Sequence, residues 1–315
     1  MDIRVLLAKY LTCFIITIVF AQATITIKEN TTWSNDITLS NSVNILAGAT
    51  LTINEGVDVF IEFVDLDDDD IGDIEISVAG ALHVVGAQDK AVSIKPAKNT
   101  ANKNHWRGVA IHKSQDLSRI EFLNIYNASR GLDIKSKLSA RGLVIKNSGQ
   151  EGITIESNKS DSINLVDIEI TRSGGVGMIV NKGNVFIDWC YINHGMADGL
   201  INNNYGLIEI KNSKIIKNKG NGIINHGNMI GYNLSVRGNR HGIVTVSGFA
   251  VLTDISILNN SSNGLLIGGM SNTNIENSII KNNQGYGLEI TDWGQENYQS
   301  DWKKVQSPSV KISES

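Results

Sequence analysis

The stretch Asp-Leu-Asp-Asp-Asp-Asp-Ile-Gly-Asp at positions 65–73 carries the densest chemistry in this chain. Asp65, Asp67, Asp69, Asp70 and Asp73 supply hard carboxylate oxygens, several at alternate positions, and such donors suit Ca²⁺. The spacing is not that of an EF-hand loop. The sixth position from Asp65 is Asp70 where Gly is required, and the twelfth is Ile76 where Glu is required. A solvated acidic loop is the competing reading. A second cluster, His105-Trp106-Arg107 with His112, joins an aromatic face to a cation and two imidazoles. Such a set can hold a sugar ring, and a Trp in that place can equally be a packing residue. Three further histidines, His194, His226 and His241, lie in polar segments beside Gly or Arg.

Composition narrows what these residues can belong to. The 315 residues include 44 Ile, 35 Asn and 30 Gly but only 2 Pro and 2 Cys. Two cysteines make neither a disulfide scaffold nor a four-cysteine zinc site. Charged residues at 19% and abundant β-branched side chains exclude disorder. A net charge of -4 gives no electrostatic footprint for nucleic acid.

The elements that position these residues follow from a repeat. Gly, apolar, any, apolar occurs at Gly108, Gly131, Gly152, Gly177, Gly264 and Gly287. It recurs with a polar fourth position at Gly199, Gly222 and Gly242. The nine glycines are 20 to 25 residues apart. Alternation of period two argues strands. Two or three strands in so short a period leave no room for a crossover helix. The chain must therefore coil as a parallel β-helix, each strand pairing with its counterpart about 4.8 Å along the axis. Inward Ile, Leu and Val fill the core. Gly and Asn turn corners that need positive φ, and stacked Asn can hydrogen-bond as a ladder. About eleven coils are expected. Residues 24–290 form the solenoid, irregular over 24–107 and regular over 108–290. Thr24 to Asn44 are expected to cover the first coil, and 291–315 form a cap or tail.

Residues 1–23 read as a secretory signal peptide: Arg4 and Lys9, an apolar run from Tyr10 to Phe20, and Ala21-Gln22-Ala23 as a cleavage site. The apolar run is short for a spanning helix. The mature chain is expected to be secreted, at the cell surface or in the periplasm, with no membrane span.

These features resemble the pectin-lyase-like superfamily of right-handed parallel β-helix proteins. The resemblance rests on the Gly-apolar-x-apolar strands, on Asn147-Ser148, Asn212-Ser213 and Asn277-Ser278, and on the opening from Thr32-Trp33-Ser34 to Ile53. It covers most of the mature chain. It implies the fold, and it implies either a polysaccharide-active enzyme (lyase, hydrolase or epimerase) or a protein with no reaction at all. Hydrolases of that superfamily carry Asn-Thr-Asp, Asp-Asp and Gly-His-Gly motifs. Here Asn193-His194-Gly195 and Asn225-His226-Gly227 echo the last motif alone. His194 precedes its coil glycine by five residues and His226 follows its own by four, which puts them at different corners.

The outward position of the motif reads Ala110, Asp133, Thr154, Ile179, Ile201, Ile224, Val244, Leu266, Glu289. Its acidic members lie seven coils, over ~30 Å, apart, too far to work as a pair. Ile179, Ile201, Ile224, Val244 and Leu266 form an apolar stripe, read as an interaction surface or as a seat for the tail with Trp293 and Trp302. The expectation is an exported, non-catalytic β-helix that binds glycan or another surface partner along its side.

Overall fold

The computed structural model describes residues 24–98, 102–291 and 309–313. Among them are strands and turns but no helix. The signal-peptide segment, Trp293 and Trp302 lie outside the described residues. Each coil gives one strand to each of three parallel sheets. In the coil that begins at Gly131, Leu132–Ile134 joins the first sheet. Leu138–Lys146 then serves the second and third in turn, bending at Gly142 with φ 66°.

The register explains the core. Leu132 pairs with Ile153 and Ile134 with Ile155. Ala140 pairs with Leu165, and Ile145 with Ile170. Equivalent residues therefore stack coil on coil. Val109, Leu132, Ile153, Met178, Leu200, Ile223, Ile243 and Leu265 make one inward column, each at most 2% exposed. Burying one such side chain contributes about 1.5–3 kcal/mol. The stack completes about eleven turns.

Asn and Gly hold many of the corners, as expected, but other residue types share them. Between the second and third sheets the chain turns on one left-handed residue per coil. These are Phe122, Gly142, Asp167, Trp189, Asn212, Asn233, Asp254 and Asn277, with φ from 49° to 66°. A second left-handed corner follows the third sheet, and His194 sits in it with φ 53°. The coil-leading glycines from Gly131 to Gly264 serve another purpose. A Cβ on Gly152 would lie 2.5 Å from both the Gly177 carbonyl oxygen and Ile170 Cγ2. Close approach between coils, not positive φ, requires Gly there.

Asparagine also acts inside. Asn218, Asn239 and Asn260 are at most 3% exposed. Each Oδ1 accepts from a residue one coil back: Gly195 N to Asn218 at 2.9 Å, Asn218 N to Asn239 at 2.9 Å, Asn239 N to Asn260 at 3.0 Å. Asn260 N continues the ladder to Asn283 Oδ1 at 3.0 Å.

The N-terminal end departs from the expectation of a separate cover. Ile25–Ile27, Thr31–Trp33 and Ile37–Leu39 pair in parallel with Val43–Ile45, Thr50–Asn54 and Asp58–Ile61. Residues 24–39 are thus the first coil itself, because Ile27 and Leu39 continue the inward columns. At the other end Ser309–Ser313 pairs with Asn272–Glu276 and adds a rung to the second sheet.

Candidate functional site

The acidic loop leaves the corner between the third and first sheets. Asp65, Asp67 and Asp73 each offer a carboxylate oxygen, all within 4.8 Å of one another. Asp69 and Asp70 are not part of that group. Asp65 turns its oxygens inward on the loop, accepting from Asp69 N at 3.3 Å and Asp70 N at 3.0 Å. Asp73 is held by Arg107 at 2.5 Å and accepts from Leu66 N at 2.8 Å. The Arg107 hydrogen bond keeps the Asp73 carboxyl below its ordinary range. Asp67 moves the other way: loss of hydration, then repulsion from Asp69, Asp73 and Asp65, push it up. A cation here has Asp67 as its freest ligand.

The aromatic–cation cluster is dispersed by the fold. Trp106 is 0% exposed, and its Nε1 donates to Tyr126 O at 2.9 Å. It leaves no face open to a sugar ring, which corrects the stacking reading: the residue two positions ahead of Gly108 points into the core. His105 is buried against Phe63, with Nε2 3.1 Å from Ile61 O. Burial pushes its pKa down. Arg107 belongs to Asp73, and His112 Nε2 lies 2.9 Å from Ser77 Oγ.

The outward column is present as counted: Ala110 pairs with Asp133, Asp133 with Thr154, and so on to Leu266 with Glu289. The apolar stripe is less open than an exposed patch. Ile179, Ile201, Ile224 and Leu266 are half-buried and Val244 is buried.

Two recesses lie toward the N-terminal part of the first sheet. One, of 710 Å³, runs along the corner between the first and second sheets. Lys113, Lys135 and Lys137 line it with Ser114, Asn158 and Ser160, alongside Asp116 and Asp161. Lys135 pairs with Asp133 at 3.0 Å. Among the described residues neither Lys113 nor Lys137 forms an ion pair. The other recess, of 210 Å³, gathers Glu75, Arg107, Arg130 and Asp133. Arg130 is held by Glu151 at 3.3 Å. Asp133 and Lys135 join the two recesses.

Reading the central position of each strand missed this convergence. The charges stand just before the glycine (Arg107, Arg130, Glu151) and just after the strand (Lys113, Lys135, Lys137). Aligning those flanking positions coil by coil is the signal that finds them. His194 and His226 occupy different corners, and burial pushes the pKa of His226 and His241 down.

No protein-family model matches the chain, and no curated protein matches it in sequence. Solved structures do match. The Geobacillus virus E2 protein ORF18 superposes with a TM-score of 0.60 at 12% identity over 78% of this chain, which spans 52% of that protein. The A-module of the Azotobacter vinelandii mannuronan C-5 epimerase AlgE4 gives 0.55 at 12% identity, covering 93% of this chain and 87% of the module. The fold is a right-handed parallel β-helix. A variant of the periplasmic alginate epimerase AlgG shares this fold with a TM-score of 0.54, at 12% identity over 89% of this chain and 75% of that one. At such identities the likeness is one of fold.

Proposed function

We propose that the chain is an exported, non-catalytic β-helix that binds an acidic glycan along its side, in the lysine-lined recess. The recess carries the reading. Its three lysines come from two successive coils, beside hydroxyl and amide groups that suit sugar hydroxyls. A glycan laid along the axis meets cations at rung spacing, about 4.8 Å. Two of the structural neighbours are described as alginate or mannuronan epimerases, one of them periplasmic. Those descriptions support a polyuronate-like ligand and agree with the export that residues 1–23 imply.

A second reading, a polysaccharide-active enzyme, draws on the adjoining recess where Glu75, Arg107, Arg130 and Asp133 meet. Asp133, Arg107 and Arg130 are each engaged in an ion pair. Such pairing favours a positioning network over free acid–base groups. Affinity electrophoresis in alginate or polygalacturonate gels tests the first reading. Lys113→Ala combined with Lys137→Ala is expected to abolish retardation, and added salt to weaken it. Unsaturated products or new reducing ends from the parent protein would decide for the enzyme.

A further inference from the structure

We propose that Trp189 is the platform of a second carbohydrate site, on the ridge between the second and third sheets. It stacks on the apolar face of a pyranose ring, and the polar side chains above and below it take the hydroxyls. The ligand class rests on the glycan reading above, but the site shares no residue with the lysine recess.

The argument starts from a residue that is wrong for its place. Trp189 is the left-handed corner residue of its coil, with φ 56°. That conformation suits Gly, Asn and Asp and is disfavoured for a bulky side chain. Six of the eight corner residues obey the rule: Gly142, Asp167, Asn212, Asn233, Asp254 and Asn277. Phe122 breaks it with a visible compensation. Its ring lies over Gly142, where an added Cβ would come within 2.5 Å of Phe122 Cδ1. No glycine makes room for Trp189: the corner residues one coil before and after it are Asp167 and Asn212. Its side is 62% exposed, more than any other aromatic before Tyr286 among the regular-coil residues whose burial is described. A local rule broken without a packing gain points to function.

The surroundings select the ligand. The register sets Val166 opposite Asp188 and Ile168 opposite Cys190, so Asp167 lies one rung before Trp189. Asn212 lies one rung after, between Lys211, opposite Asp188, and Lys214, opposite Tyr191. Asp167 is exposed and Asp188 and Asn212 are half-buried. Asn212 Nδ2 donates to Asp188 Oδ1 at 2.9 Å, and Asn233 Nδ2 to Asn212 Oδ1 at 2.8 Å. Lys211 sits 4.6 Å from the centre of the Phe186 ring. An indole between a carboxylate and an amide, each about 4.8 Å away along the axis, matches a sugar about one ring wide. A protein hot spot needs an anchor shielded from water by a surrounding contact ring. Here the flanks are charged and hydrated.

The test uses native gels containing mixed-linkage β-glucan, galactomannan or dextran, with alginate in parallel. Trp189→Asn installs the residue that the corner prefers. The parent is expected to be retarded by at least one neutral polymer. Trp189→Asn should weaken that binding at least tenfold while its Tm stays level or rises by about 2 °C. Trp189→Phe should lose less. Lys113→Ala with Lys137→Ala should keep neutral-polymer binding and lose alginate binding. If alginate fails to retard the parent but a neutral polymer does, the recess reading falls and the Trp189 site stands. No retardation by any neutral polymer overturns the Trp189 site. Unchanged binding by Trp189→Asn, or a lower Tm, does so as well.

Discussion

Asn239→Ala probes the device that holds the coils in register. Asn239 is 1% exposed. Its Oδ1 accepts from Asn218 N at 2.9 Å and Asn218 Nδ2 at 3.1 Å. Its Nδ2 donates to Ile215 O at 3.0 Å and Asn260 Oδ1 at 3.4 Å. Alanine removes all four bonds and leaves the buried Asn218 N–H without its acceptor. An orphaned buried donor costs about 1–3 kcal/mol. The void left by the amide adds roughly 1 kcal/mol, because Gly222 packs against it and cannot fill it. The expected loss is about 3 kcal/mol by urea denaturation. Faster hydrogen exchange should appear at Asn218 and the flanking rungs, since coils interact chiefly with their neighbours. Asn239→Asp keeps the Oδ1 acceptor but turns an oxygen toward Ile215 O and Asn260 Oδ1. Its loss should therefore be greater at pH 7 than at pH 4. The exposed Asn184, whose side chain donates to Lys159 O at 2.8 Å, should cost about 1 kcal/mol or less on replacement by Ala. If Asn239→Ala stays within ~0.5 kcal/mol of the parent and Asn218 keeps its protection, the ladder does not carry the stability assigned to it.

Two further outcomes follow from the titrating groups. Burial lowers the pKa of His105, His226 and His241 from the ordinary 6.5. The unfolded chain then binds more protons than the folded one as pH falls below 6.5, so stability should be full above that value and decline below it. A Tm that rises from pH 7 to pH 5 would contradict this, and His226→Gln should flatten the decline. Calcium is expected to bind the Asp65–Asp67–Asp73 group in the millimolar range. Arg107 already neutralises Asp73, and loop N–H groups already occupy Asp65. Calorimetry on EDTA-treated protein checks this; micromolar binding lost in Asp67→Asn would show that a structural ion outcompetes those contacts.

The solenoid was legible because its information is periodic. Once Gly131, Gly152 and Gly177 are aligned, every inward and outward position follows by counting, down to the column from Ala110 to Glu289. The asparagine ladder was legible for the same reason. The reason for the glycines was not. A sequence shows that Gly152 recurs but not that the Gly177 carbonyl stands where its Cβ would be. The irregular stretch 24–107 breaks the count. Whether Trp106 faced core or solvent, and which aspartates of 65–73 meet, depended on loops whose register no repeat fixes.

The site divides along the same line. Residue types by themselves determined that a stacked parallel β-helix would form and that its central strand positions lack a carboxylate pair, while the structure settled that it has three sides. Tertiary structure alone decided that Lys113, Lys135 and Lys137 share a recess with a second charged pocket beside it. It alone put Trp189, unremarkable in sequence, on a strained and exposed corner. The physical reason is that coiling places residues some 22 positions apart about 4.8 Å from one another. A site built along the axis is therefore scattered in sequence, while the core that supports it repeats in plain view.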